Sequence, residues 1–90
     1  MHISFIKLIQ FTRLIRAGGR LREFNFRKLR DADPETFTVD TVDDRGNRIL
    51  FRMLKDPGSH WFIQSQILPN WIPEAEDQLH EAIEGELMNP

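Results

Sequence analysis

The segment from Phe37 to Ile63 constrains the fold most, because it reads as three consecutive β-strands separated by turns. Phe37, Val39 and Thr41 alternate with Thr38, Asp40 and Val42, the period of a strand whose side chains point to opposite faces. Asp43-Asp44-Arg45-Gly46-Asn47 follows with turn chemistry, Gly46 being free to take a positive φ. Arg48–Leu54 resumes the extended pattern, with Ile49, Phe51 and Met53 on one face and Leu50 and Leu54 beside Arg52 on the other. Apolar side chains on both faces predict a central strand covered on both sides. Asp56-Pro57-Gly58-Ser59 marks the next turn, and Trp61–Ile63 the third strand.

On either side of this meander the periods change. Leu21–Leu29 alternates Arg22, Phe24, Phe26 and Lys28 with Glu23, Asn25 and Arg27, which predicts a further strand, and Pro34 interrupts the loop after it. Ahead of that strand, Leu8, Phe11, Leu14 and Ile15 share one side of a helical wheel opposite Thr12, Arg13 and Arg16. With Gly18-Gly19 as a C-terminal stop, this predicts a helix over Phe5–Ala17. Downstream, Pro69 to Pro73 is a rigid connector, Pro73 suits the first turn of a helix, and Glu74, Glu76 and Asp77 suit its dipole. Ile72, Ala75, Leu79, Ala82, Ile83 and Leu87 then form an apolar stripe at helical spacing, with Gly85 expected to fray the last turn.

Ninety residues predict a single domain, 1–90, with one modest core. The absence of cysteine excludes disulfides, thiolate metal sites and cysteine nucleophiles. A net charge of −2 conceals an asymmetry: residues 1–30 carry +7, the other sixty −9, and from Pro73 onward there are six acids and no lysine or arginine. Internal pairing of a basic N-terminal third with an acidic C-terminal helix accounts for this more simply than a basic surface for nucleic acid. The apolar N-terminal stretch is too short and too charged to span a membrane and lacks the polarity of a signal peptide, so a cytoplasmic location is expected.

Candidate chemistry is sparse. His2, His60 and His80 have no ligand spacing between them, and Asp40, Asp43 and Asp44 miss the calcium-loop register. No nucleophile–base pair, paired-carboxylate cleft or phosphate loop is assembled, so neither a cofactor nor catalysis is expected. One constellation stands out. Arg20 to Arg30 interleaves Arg20, Arg22, Arg27, Lys28 and Arg30 with Phe24 and Phe26, and Arg13 and Arg16 add to the same basic third. Sheet platforms for single-stranded nucleic acid use that combination of stacking ring and cation. A domain this small more readily needs Phe24 and Phe26 in its core.

The fold expected is α+β: a four-stranded, mostly antiparallel meander with an N-terminal and a C-terminal helix packed on the sheet, in the order α-β-β-β-β-α. The function expected is a small non-enzymatic binding or protein-interaction module, self-associating as a dimer or taking a protein partner. Phe5, Ile9, Leu50, Leu54, Phe62 and Trp71 are the candidate contacts. Nucleic-acid binding through Arg20 to Arg30 is the alternative.

Overall fold

A computed structural model describes residues 8–89. Five strands form one antiparallel sheet in chain order: β1 (Gln10–Ala17), β2 (Arg20–Lys28), β3 (Thr36–Val42), β4 (Arg48–Lys55) and β5 (Trp61–Ile63). A 3-10 turn at Pro73–Ala75 leads into the helix α1 (Glu76–Met88).

The four-stranded sheet with an N-terminal helix is therefore wrong at its start. Gln10–Ala17 is a strand, paired with β2 from Ala17↔Arg20 to Gln10↔Arg27. Gly18 and Gly19 both take positive φ, at 62° and 75°. A helix stop needs one such residue, whereas two in succession make the two-residue turn that matches the twist of a hairpin. Read with period 2, the stretch places Phe11, Arg13, Ile15 and Ala17 on one face and Thr12, Leu14 and Arg16 on the other. Arg13 on the first and Leu14 on the second blur the alternation, which is why the helical wheel fits the letters too. Phe5, also assigned to that helix, lies outside the described residues.

The downstream elements follow the sequence pattern. Phe24, Phe26, Phe37, Val39, Phe51, Met53 and Trp61 come from the inner face of the sheet, and Ile72, Ala75, Leu79 and Ile83 meet them to complete the core. Phe37 lies at the centre, with the Trp61 ring edge-on at 5.1 Å and the Phe11 ring at 5.9 Å. The sheet curls into a half-barrel, and α1 lies in its open side, touching β5 on one flank and β1 on the other. On the β5 flank, helix side chains take up donors of the edge strand. Trp61 N–H donates to His80 Nδ1 at 3.0 Å, Ile63 N–H to Glu76 Oε2 at 2.9 Å, and Trp61 Nε1–H to Glu84 Oε1 at 2.9 Å. Helical spacing sets these carboxylates and the imidazole in one row at i, i+4 and i+8 along the strand, covering an edge that would otherwise invite pairing. On the β1 flank Arg13 Nη2 donates to Glu86 Oε1 at 2.7 Å, the one direct ion pair joining the basic N-terminal third to the acidic helix among the described residues. The helix runs through Gly85 to Met88.

The other face of the sheet has no tertiary cover among the described residues. Here β4 departs from the reading of a strand covered on both faces: it does lie inside the sheet, between β3 and β5, but Leu50 is 58% exposed. The long side chains of Arg48 and Arg52 share its face, and alternating Leu with Arg is how an open sheet face keeps apolar positions soluble.

The β3–β4 turn is built on Asp43. Its Oδ1 accepts the backbone N–H of Asn47 at 2.8 Å and of Arg45 at 2.9 Å, while Gly46 takes φ 83°. The Asn47 N–H is the largest cause holding the Asp43 carboxyl below the usual aspartate range; desolvation opposes it, and the Arg45 N–H, the Asn47 amide and the Arg45 charge add to the lowering. A lowered folded-state value means stability that is complete above the ordinary aspartate range, about 4, and lost as pH falls through the lowered value. Asp43→Ala is therefore expected to lower the melting temperature at pH 7, and the gap to the parent protein should narrow in thermal melts as the pH is taken below the ordinary aspartate range. A gap that persists there would show that the turn works without its carboxylate.

Candidate docking face of the sheet

The register places one side chain per two residues on the open face, in rows that cross the sheet. One row runs Thr12, Asn25, Asp40, Leu50. Thr12 Oγ1–H donates to Asn25 Oδ1 at 2.7 Å and Asn25 Nδ2–H to Asp40 Oδ1 at 3.0 Å, and Arg48 Nη1 approaches the same oxygen at 3.6 Å. This chain of polar contacts fixes side chains across four strands and underlies a depression of about 670 Å³ that Arg27 and Thr38 also border. The adjacent row runs Gln10, Arg27, Thr38, Arg52. Arg27 and Arg52 thus flank Thr38 from the two neighbouring strands, and neither has an ion-pair partner among the described residues.

Around these rows stand large apolar side chains in solvent. Leu14 is 62% exposed, and Leu21 and Val42 are exposed with Leu50. The face carries four arginines (Arg16, Arg27, Arg48, Arg52) against two acids, Glu23 and Asp40, and Asp40 is already engaged by Arg48 and Asn25. The helix on the opposite side carries the acids, so the molecule has a basic side and an acidic side.

The seven basic residues singled out by the sequence do not converge. Arg13 turns inward to Glu86. Arg22 is buried: its Nε–H donates to the Ala17 carbonyl at 2.8 Å, its Nη1 pairs with Asp44 at 3.0 Å, and its guanidinium stacks 3.8 Å above the Trp71 ring. Arg20 pairs with the same Asp44 at 2.6 Å, and Lys28 lies 3.5 Å from Glu35. Arg30 sits exposed in the β2–β3 loop. Only Arg16 and Arg27 stand on the open face, where Arg48 and Arg52 of β4 join them. Phe24 and Phe26 are buried, so the two rings of the basic strand are not presented on the exposed side.

Of the candidate contacts, Leu50 is exposed, Leu54 and Phe62 are half-buried on the open face, and Trp71 lies half-buried under Arg22. Ile9 packs against the core, and Phe5 is outside the described residues. The residues that sequence reading missed include Leu14 and Thr12 of β1, Leu21 and Asn25 of β2, and Arg48 and Arg52 of β4. For Leu14 and Thr12 the signal was the period-2 alternation of β1, hidden by the helical reading; the others lie on strands that were read, and only the register brings them together.

Among the described residues no group of histidines and carboxylates is arranged to hold a metal ion. His60 and His80 stack at 4.3 Å, and His80 is engaged at the β5 seam. No helix there is long and apolar enough to cross a membrane. No protein-family model, curated protein or solved structure matches the chain.

Proposed function

We propose that this protein is a non-enzymatic interaction module that docks an acidic, leucine-bearing segment of a partner protein on the open face of its sheet. The observation that carries the reading is the exposure of Leu14, Leu21, Val42 and Leu50 on a face that also bears four arginines. Several large apolar side chains left in water on one face, interspersed with charged ones, favour a partner over structure. The charge selects which partner. Two copies meeting face to face would bring eight guanidiniums together, and like charge across an interface costs several kcal/mol. Nucleic acid is the weaker match, because Phe24 and Phe26, the rings interleaved with the basic strand, are buried in the core. A polypeptide of alternating acidic and apolar residues complements the arginines and leucines together.

The test is a titration followed by ¹⁵N–¹H correlation spectra, using the peptide Ac-Glu-Leu-Glu-Glu-Leu-Glu-NH₂, poly-glutamate of equal length, and oligo-dT. The leucine-bearing peptide should bind most tightly and shift amides of β1, β2 and β4 on the open face. The double substitution Arg27→Glu with Arg52→Glu should weaken it about tenfold while changing stability by less than about 0.5 kcal/mol. Tighter, steeply salt-dependent binding of oligo-dT would replace this reading with nucleic-acid binding. A concentration-dependent dimer that blocks the face in sedimentation would replace it with self-association.

A further inference from the structure

At the end of the open face, beside the Leu54↔Phe62 pair of β4 and β5, two loops rise past the sheet. Pro34 from the β2–β3 loop and Pro57 from the β4–β5 turn join Phe62 in lining an open cavity of about 570 Å³. That is within the range of ordinary ligand pockets, and its walls are apolar. Its charged lining is of opposite sign to the rest of the face, with Asp33, Glu35 and Asp56 against Lys55. The three carboxylates are not equivalent. Glu35 is held between Lys55 at 3.4 Å and Lys28 at 3.5 Å, so its charge is answered. Asp56 Oδ1 accepts the His60 N–H at 2.9 Å, which leaves Oδ2 for another donor. Asp33 is exposed and has no ion pair among the described residues.

We infer that this cavity binds an alkyl cation, the side chain of a lysine or arginine of a partner polypeptide. An aliphatic stem lies against Pro34, Pro57 and Phe62, and its charged head stays at the wet rim beside Asp33 and Asp56, the division of labour that long basic side chains favour. A polypeptide is the source because Phe62, which lines the cavity, pairs with Leu54 on the open sheet face, so a segment docked across the rows ends beside it. The inference goes beyond the acidic-segment reading and rests on different residues.

The experiment is a ¹⁵N–¹H titration with Ac-Gly-Lys-Gly-NH₂, its norleucine counterpart and n-butylammonium. The lysine peptide should shift the amides of Glu35, Lys55, Asp56 and Phe62 with Kd on the order of 1 mM, and the norleucine peptide should bind about fivefold more weakly. Asp33→Asn, an exposed substitution, should weaken the lysine peptide about threefold without moving the thermal midpoint. Equal binding of the norleucine peptide would overturn the cation assignment. Lysine-induced shifts confined to the acidic helix would overturn the site, and n-butylammonium binding as tightly as the peptide would overturn the polypeptide source. None of these outcomes touches Arg27 or Arg52, so failure here and failure of the acidic-segment reading remain distinguishable.

Discussion

Replacing Gly18 with alanine is expected to lower the unfolding free energy by about 3 kcal/mol, while the same change at Gly19 costs about 1 kcal/mol. Both residues sit in the left-handed region, at φ 62° and 75°, so both substitutions meet the same conformational penalty. They differ in what a new Cβ touches. At Gly18 it would fall 2.8 Å from Trp71 Cβ and 3.1 Å from Trp71 Cγ, and at Gly19 there is nothing within 4 Å. Trp71 has little room to retreat. The Arg22 guanidinium lies 3.8 Å above its ring, Phe24 stands edge-on at 6.4 Å, and Ile72 next to it is fully buried. The first glycine of the hairpin is therefore also the seat on which the connector to α1 docks. Urea unfolding of the two variants measures the difference directly. Equal losses would show that the connector does not press on the turn.

Arg22→Ala is expected to cost about 3 kcal/mol, composed of a charged hydrogen bond to a carbonyl and a desolvated stack on tryptophan. The Ala17 carbonyl and the Trp71 face lose their partner together. The ion pair with Asp44 adds little, because that carboxylate is 60% exposed and screened by water. Lysine should recover only a small part, lacking the planar fork that donates and stacks at once. Arg27→Ala, on the open face, should stay within about 0.5 kcal/mol of the parent. The docking titration is expected to show the reverse order, with Arg27→Ala weakening the acidic peptide and folded Arg22→Ala leaving it unchanged. If Arg22→Ala weakened docking as much, the basic strand would act as one surface, and the separation by face would be wrong.

Which arginines hold the fold and which meet solvent was only partly legible. In β2 the alternation of Arg22, Phe24 and Phe26 with Glu23, Asn25 and Arg27 placed each residue on its correct face. Nothing in that alternation says that an arginine on the core side finds a tryptophan nearly fifty positions away. Asp44 was legible as a turn residue; its role as the partner of both Arg20 and Arg22 depends on the β3–β4 turn folding back beside the start of β2. The C-terminal helix was legible from its stripe, whereas nothing in the spacing of Glu76, His80 and Glu84 marked them as a row of acceptors. Only the docking of α1 beside β5 turns that row into acceptors for strand donors.

Local chemistry settled the meander, the turn on Asp43 and Gly46, and the helix after Pro73, because strand alternation, turn residues and helical stripes act over a few positions. Tertiary structure decided the fate of Gln10–Ala17, whose letters fit both periods. Pairing with β2 through the Gly18-Gly19 turn is a non-local gain that outweighs a weak helical preference. That one decision made the fifth strand, removed the expected helical cover, and left Leu14, Leu21, Leu50, Arg27 and Arg52 facing water together, since a surface is composed by register across strands and not by neighbours along the chain.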